Sequence, residues 1–300
     1  MKNPPQQLHI PVLLDDVLNT LNPLVGESYL DLTAGYGGHA RKIIEQTKTV
    51  SSATLCDRDS FAISHLSDLA EQGAQLIHQD FLASAKHLQA TGSHFDMILL
   101  DLGVSSPQLD IASRGFSFNH DGPLDMRMDK QQELTAATII NQWDKRAIQK
   151  IFVDGDIPHR LATILAQAIV VERKKQPIET TGRLAEIIRR KVGELDGGKY
   201  HKTHPATKPF LAIRIAVNDE MNQLKQVLPI LIDLLAPKGR LAIITFHSLE
   251  DRIVKQFMRD QTDGWDAPCY MLLKKPISGE NEDVFNPRAR SAMLRAVLKK

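Results

Sequence analysis

Short apolar runs alternate with helical stripes through the first hundred residues. Val12, Leu13, Val17, Leu18 and Leu21 recur at the spacing of one helix face, which predicts a helix over residues 11–21. Tyr29, Leu30 and Leu32 read as the end of a buried strand, and residues 40–45 as the first turns of a helix. Residues 53–56, 75–78 and 95–100 read as three further strands, with a helix over 61–69. Strands and helices alternating at these lengths imply right-handed crossovers and a parallel sheet. From about Gln108 to Ile215 this rhythm stops. Residues 114–118 and 123–129 read as loop, and two helices follow. One carries Leu161, Leu165, Ala168 and Ile169 on a face, and the other, after Thr181, turns Leu184, Ile187 and Ile188 inward. Residues 204–209 read as extended chain, because residues before proline avoid the helical region.

The alternation then resumes. Asn218 is placed to cap a helix running to Leu235, kinked or divided at Pro229. Residues 237–239 make a turn into a strand over 240–246, Ser248 is placed to cap the next helix, and residues 270–273 and 293–297 read as late strands. The fold class is α/β: a doubly wound, mostly parallel seven-stranded sheet with a final reversed hairpin and an inserted helical subdomain. The boundaries fall at 1–109 for the first part of the core, 110–215 for the insertion and 216–300 for the second part.

The chemistry gathers at the strand ends. Asp31, Asp57, Phe81 and Asp101 all fall where ligands of an open parallel sheet bind, beyond the carboxyl ends of the strands. Gly35, Gly37 and Gly38 form a tight turn between strand and helix, the arrangement that lets backbone approach a ligand over a helix N-terminus. Two ligands fit this loop equally, beside a third reading as a merely structural glycine-rich turn. Gly35-x-Gly37-x-x-Ala40 matches a dinucleotide fingerprint, with Asp57 where a ribose-binding acid belongs. S-adenosylmethionine needs the same acid, and Asp31 suits its sulfonium and amino-acid moiety better than a diphosphate.

No apolar run in the 300 residues reaches the roughly 18–20 that a membrane span needs, and the N-terminal residues carry no apolar signal region, so a cytoplasmic protein is expected. Cys56 and Cys269 match no metal spacing and are expected to be buried packing residues; no metal-ligand cluster stands out. The formal net charge is +1, but residues 1–110 sum to −7 and residues 141–216 to +7. An acidic, cofactor-binding core followed by a basic, polyanion-facing insertion would have this distribution, as would a set of solvated helix faces.

Longer motifs carry a family resemblance across nearly the whole chain. They are His9-x-Pro11-Val12-Leu13-Leu14, Asp31-x-Thr33-x-Gly35-x-Gly37-Gly38-His39, the run from Asp101 to Asp110, the run from Arg114 to Phe118, and Pro123 to Asp129. His204 to Thr207, Phe246 to Arg252 and Asn286 to Ser291 complete them. The chain resembles the bacterial small-subunit (16S) ribosomal RNA cytosine-N4-methyltransferase family (RsmH, formerly MraW). That resemblance implies S-adenosyl-L-methionine as methyl donor and, as acceptor, a cytidine in the decoding region of small-subunit ribosomal RNA. It implies cofactor contacts at Gly37, Gly38, His39, Asp57, Phe81, Asp101 and Gln108. The chain departs from the family at 157–160, where a Gly-Glu-Glu-Arg stretch is usual, and at Lys208, Leu211 and Lys238; none of these lies in the glycine turn.

Methyl transfer from a sulfonium is an in-line displacement that depends on positioning and electrostatic matching. Cytosine N4 is a poor nucleophile, so an acceptor for its amino protons helps, and Asp101 is the candidate for that role. The usual aromatic after this acid is missing from Asp101-Leu102-Gly103-Val104, which leaves Phe116 or Phe118 to stack on the base. Arg183, Arg189, Arg190 and Lys191 are the candidates for phosphate contacts. His247, followed by Ser248 and Asp251, invites a hydrolase reading, but adjacency at one helix start does not assemble a triad. His247 is read instead as a pocket wall, an RNA contact or a structural histidine, and His39 as a donor of backbone N–H.

Overall fold

The computed structural model describes residues 11–197, 199, 203–281 and 289–300, so the motif residues at 9 and 286–288 lie outside the described residues. In chain order the first elements are α1 (Leu14–Leu21), β1 (Tyr29–Asp31), α2 (Gly38–Thr47), β2 (Ala53–Asp57), α3 (Ser60–Ser64), α4 (Ser67–Glu71), β3 (Gln75–His78), α5 (Phe81–Ala90) and β4 (Phe95–Asp101). Six helices follow: α6 (Ser106–Asp110), α7 (Ala136–Gln142), α8 (Lys145–Asp154), α9 (His159–Lys175), α10 (Thr181–Asp196) and α11 (Thr207–Asn218). The chain closes with α12 (Glu220–Leu234), β5 (Leu235–Thr245), α13 (Ser248–Thr262), β6 (Cys269–Met271), β7 (Ile277–Ser278) and β8 (Met293–Lys299). It divides into two compact units, Met1–Gly103 with Met221–Lys300, and Val104–Glu220.

The first unit is a sheet in the order β3-β2-β1-β4-β5-β8-β6, with β7 also on β8. Pairings from β3 to β5 are parallel, and β8 runs antiparallel to β5, β6 and β7. The short strands β6 and β7 pair with opposite ends of β8 along one edge, so eight strands fill seven positions. Alternation along each strand builds a core on both faces, as a parallel sheet requires. Leu30, Ile98, Leu100, Leu241 and Ile243 point to the side covered by α5, α12 and α13. Tyr29, Met97, Leu99, Ala242 and Ile244 point to the side covered by α1, α2 and the α3–α4 segment. Each fully buried aliphatic side chain contributes on the order of 1.5–3 kcal/mol. The order of strands reverses between β1 and β4, which makes their tips the switch point where ligands of this architecture bind.

The second unit is helical around its own core, which takes in Ile139, Ile148, Phe152, Leu165, Ile188 and Ile213. Its long irregular segment is held by buried polar groups. Asn218 donates to the Met126 carbonyl and accepts from the Met128 N–H, both at 2.9 Å. Arg114, only 7% exposed, donates to the Met128 carbonyl at 3.1 Å. Leu124 N–H donates to Glu179 O at 2.8 Å, and Pro123 bridges to Thr180.

Several local expectations are corrected. The helix expected over 61–69 is two short helices, because His65 and Leu66 interrupt it. Residues 207–209 are helical rather than extended; Pro209 is the third residue of α11, where its missing N–H leaves no helical bond unmade. Asn218 does not cap the next helix: it ends α11 and faces the Met126–Met128 backbone. The cap of α13 is His247, one residue before Ser248. Residues 237–239 lie within β5, as an irregularity in its pairing with β4. The strands expected over 270–273 and 293–297 are β6 and β8, with β7 added between them. Both cysteines are buried, as expected of packing residues.

Candidate active site

Four strand tips of the first unit build the candidate site. Strand β1 ends at Asp31, which is 2% exposed; its Oδ2 accepts from the Tyr29 hydroxyl at 2.7 Å and its Oδ1 from Thr33 N–H at 3.1 Å. The Thr33 hydroxyl accepts from Asp101 N–H at 2.7 Å and so fixes the tip of β4 to the turn after β1. At the tip of β2, Asp57 Oδ2 accepts from Gly35 N–H and Oδ1 from Asp59 N–H, both at 2.8 Å. The glycine turn is therefore held directly by the Asp57 carboxylate. Gly37 takes φ +79, which favours glycine, and starts α2 with no side-chain cap. A Cβ on Gly38 would come within 2.5 Å of Pro11, so this glycine serves close packing.

His39 and Asp101 meet behind this turn. His39 Nε2 lies 2.9 Å from the Val12 carbonyl, which can only accept, so the ring proton sits on Nε2. Its Nδ1 then faces Asp101 Oδ2 at 3.7 Å, and the two side chains are 7% and 17% exposed. Asp101 Oδ1 is buried with no hydrogen-bond partner among the described residues. A buried acceptor left unmatched costs free energy unless a ligand satisfies it.

The electrostatics follow from burial. Burial, then the charges of Asp31 and Glu250, hold the Asp101 carboxyl well above the usual carboxylate range. Burial pushes Asp31 up to about 7, against the hydrogen bonds from Tyr29 and Thr33. Burial also raises Asp57, against the two backbone N–H groups it accepts. Burial thus disfavours ionisation of three carboxyls at adjacent tips, with the Arg58 charge opposing it at Asp57.

Gly37, Gly38, His39, Asp57 and Asp101 thus come together in one unit. Phe81 is the first residue of α5, just beyond β3, and packs against one core. Gln108 belongs to the second unit, where its Oε1 accepts from Ser105 N–H and closes the capping box of α6. Phe116 is 6% exposed inside the helical core, which takes its ring out of base stacking: its side chain is consumed by packing, and Arg114 stands 5.9 Å over the ring. Phe118 is half-buried, stacked on His204 at 4.6 Å and edge-on to Phe210. Arg183 and Arg190 are both bonded to Glu172, at 3.0 and 2.7 Å, and Lys191 to Glu194; Arg189 is exposed. His247 Nδ1 accepts from Glu250 N–H at 3.3 Å, while its Nε2 comes within 3.0 Å of Glu250 Oε1 off the hydrogen-bonding direction.

Sequence reasoning missed two residues here. Thr33 joins two tips through its hydroxyl, with a carboxylate two residues before it as the only signal. Glu250, 1% exposed, anchors Phe246 N–H at 2.8 Å and carries charge toward Asp101. In the sequence it looks like an ordinary first-turn acid of a helix.

The chain is 42% identical to the ribosomal RNA small subunit methyltransferase H of Nitrosomonas eutropha, over 97% of each chain. It is 41% identical to the protein of the same name from Symbiobacterium thermophilum, over 97% of this chain and 96% of that one. Among solved structures, an rRNA methylase from Streptococcus thermophilus aligns over 100% of this chain and 98% of its own with a TM-score of 0.39 at 12% identity. The family model described as the MraW methylase family matches residues 6–300. With strand-tip acids, glycine turn and helix start all inside that match, the chain belongs to the MraW methylase family.

Proposed function

We propose that this protein transfers a methyl group from S-adenosyl-L-methionine to the exocyclic N4 of a cytidine in small-subunit ribosomal RNA, a reaction of the cytoplasm. The observation that carries the reading is the buried, unpartnered Asp101 Oδ1 at the tip of β4, among strand-tip carboxyls and beside an uncapped helix start. A ligand with a sulfonium and an ammonium matches the buried Asp31 and Asp101 carboxyls, and its own carboxylate matches the N–H groups at the start of α2. Asp57 is the acceptor for ribose hydroxyls, using lone pairs not engaged by Gly35 and Asp59. S-adenosylmethionine, when bound, supplies an activated methyl group.

The remaining work falls to the chain. Asp101, ionised once a cationic ligand offsets its burial, accepts an N4 amino proton on Oδ1, which holds the amino group and favours a lone pair directed at the methyl carbon. As N4 gains the methyl it loses that proton, and Asp101 receives it. His39 packs beside the carboxyl, its Nδ1 3.7 Å from Oδ2, and with the ring proton on Nε2 it donates nothing to Asp101. Burial of the acid excludes water from this exchange.

Turnover on small ribosomal subunits, with mass mapping of the modified nucleoside, tests the reading. Asp101→Asn is expected to lower kcat by at least about 100-fold at saturating methyl donor. N4-methylcytidine in small-subunit RNA is the expected product. Unchanged turnover would remove the acceptor role, and methyl incorporation into another base or into DNA alone would overturn the substrate.

A further inference from the structure

Helix α13 presents Lys255, Met258, Arg259 and Thr262 at positions i, i+3, i+4 and i+7, one stripe of its surface. That stripe lines a cleft of about 360 Å³, together with Met271 and Lys274 from the region after β6 and Arg295 from β8. Met258, 1% exposed, and Met271 give the cleft apolar surface. Its polar lining is mainly cationic. Arg295 is neutralised by a two-pronged pair with Asp251, at 2.7 and 3.0 Å. Lys255, Arg259 and Lys274 are exposed and make no ion pair among the described residues, and Asp263 is the one acid in the lining. Two like charges at i and i+4 repel and weaken a helix rather than support it. The helix dipole favours Arg259 in the last turn of α13, but folding does not account for Lys255 and Lys274 converging beside it; a polyanion would.

We infer that this cleft is a second docking surface for ribosomal RNA, in which Lys255, Arg259 and Lys274 hold backbone phosphates of a segment away from the methylated nucleotide. The inference rests on the RNA-substrate reading above. Cations on flexible stems around a partly apolar cleft suit a sugar–phosphate strand, and phosphate contacts set register without reading sequence. None of the residues used belongs to the strand-tip site, so cofactor binding and RNA docking separate experimentally.

The test compares the wild type, the charge-reversed triple variant K255E/R259E/K274E, and a control variant K48E/K86E/K225E that reverses three exposed lysines elsewhere in the same unit. Binding to a small-subunit RNA fragment is measured from low to moderate salt, with calorimetry of S-adenosylhomocysteine as the check that each variant is folded. The cleft variant is expected to bind RNA at least about tenfold more weakly and to flatten the slope of log affinity against log salt by about 2, beyond any change in the control. Equal losses in both variants, or none in either, would overturn the cleft. A loss seen on assembled subunits but not on RNA would assign the cleft to a ribosomal protein and overturn it too. A wild type that neither binds nor methylates small-subunit RNA would bring down the substrate reading, and the cleft with it. A wild type that methylates while the cleft variant matches the control would sink the cleft alone.

Discussion

Burial pushes the Asp31 carboxyl up to about 7, and the unfolded chain would release that proton near 3.9. Between about pH 4 and 7 the native protein therefore holds a proton the unfolded chain has lost, so this carboxyl's contribution to stability falls as pH rises through that window. Asp57 and Asp101 shift in the same direction and add to it. The Tm of Asp31→Asn relative to wild type, without ligand, should move in the variant's favour from pH 5 to pH 7.5; a constant difference would contradict the account. Cation binding has the opposite sign, because it favours the ionised acids. S-adenosylmethionine is expected to bind more tightly at pH 8 than at pH 6, with a weaker dependence for the uncharged thioether S-adenosylhomocysteine, as calorimetry would show. A different residue-scale constraint sits at Gly115, with φ +71 and a Cβ position only 2.0 Å from the Pro123 carbonyl oxygen. Gly115→Ala should cost ~3 kcal/mol or more in chemical denaturation, since backbone cannot rotate away. Gly26→Ala, with φ +88 and open space around it, should cost only ~1 kcal/mol for the left-handed backbone alone.

Among the elements, α13 depends on an unusual cap. His247 Nδ1 takes the place that serine, threonine or aspartate usually fills, accepting the Glu250 N–H, while the Glu250 carboxylate returns to Phe246 N–H. His247→Ala is expected to destabilise the first unit by about 1 kcal/mol, and His247→Asn to restore most of that, as urea midpoints would measure. Pattern and propensity made Ser248 the expected cap, because sequence does not show which of two adjacent polar residues leaves the helical region. The same limit explains α11. Proline argues against helix in general, yet in a first turn it costs nothing, and only the backbone shows that Pro209 stands there. By contrast β3 and β4 were legible almost to the residue, and α10 in its start and its inward face. The apolar positions of β4 and α10 are buried where the pattern indicates, those of β3 (Leu76 and Ile77) are half-buried, and turn-formers or a capping threonine mark the boundaries.

At the scale of the molecule, the parallel sheet was readable because strands buried on both faces write themselves as apolar runs. The helical unit was only half readable. Helices α7 and α8 are short, and the packing of the 114–129 segment rests on single buried polar groups such as Asn218 and Arg114, which no periodicity announces. The strand-tip acids were visible one by one; the Thr33 link and the unpartnered Asp101 oxygen exist only in three dimensions. The sheet also has a temporal side. Strand β4 finds its neighbour β5 only after the whole of the second unit has been made, more than a hundred residues further on. At ribosomal rates the apolar edge of Phe95–Asp101 waits roughly ten seconds for that partner, unzipped and adhesive. The nascent chain thus passes through a stage in which its helical middle is complete while half of its sheet is still open, when shielding by a chaperone would matter most.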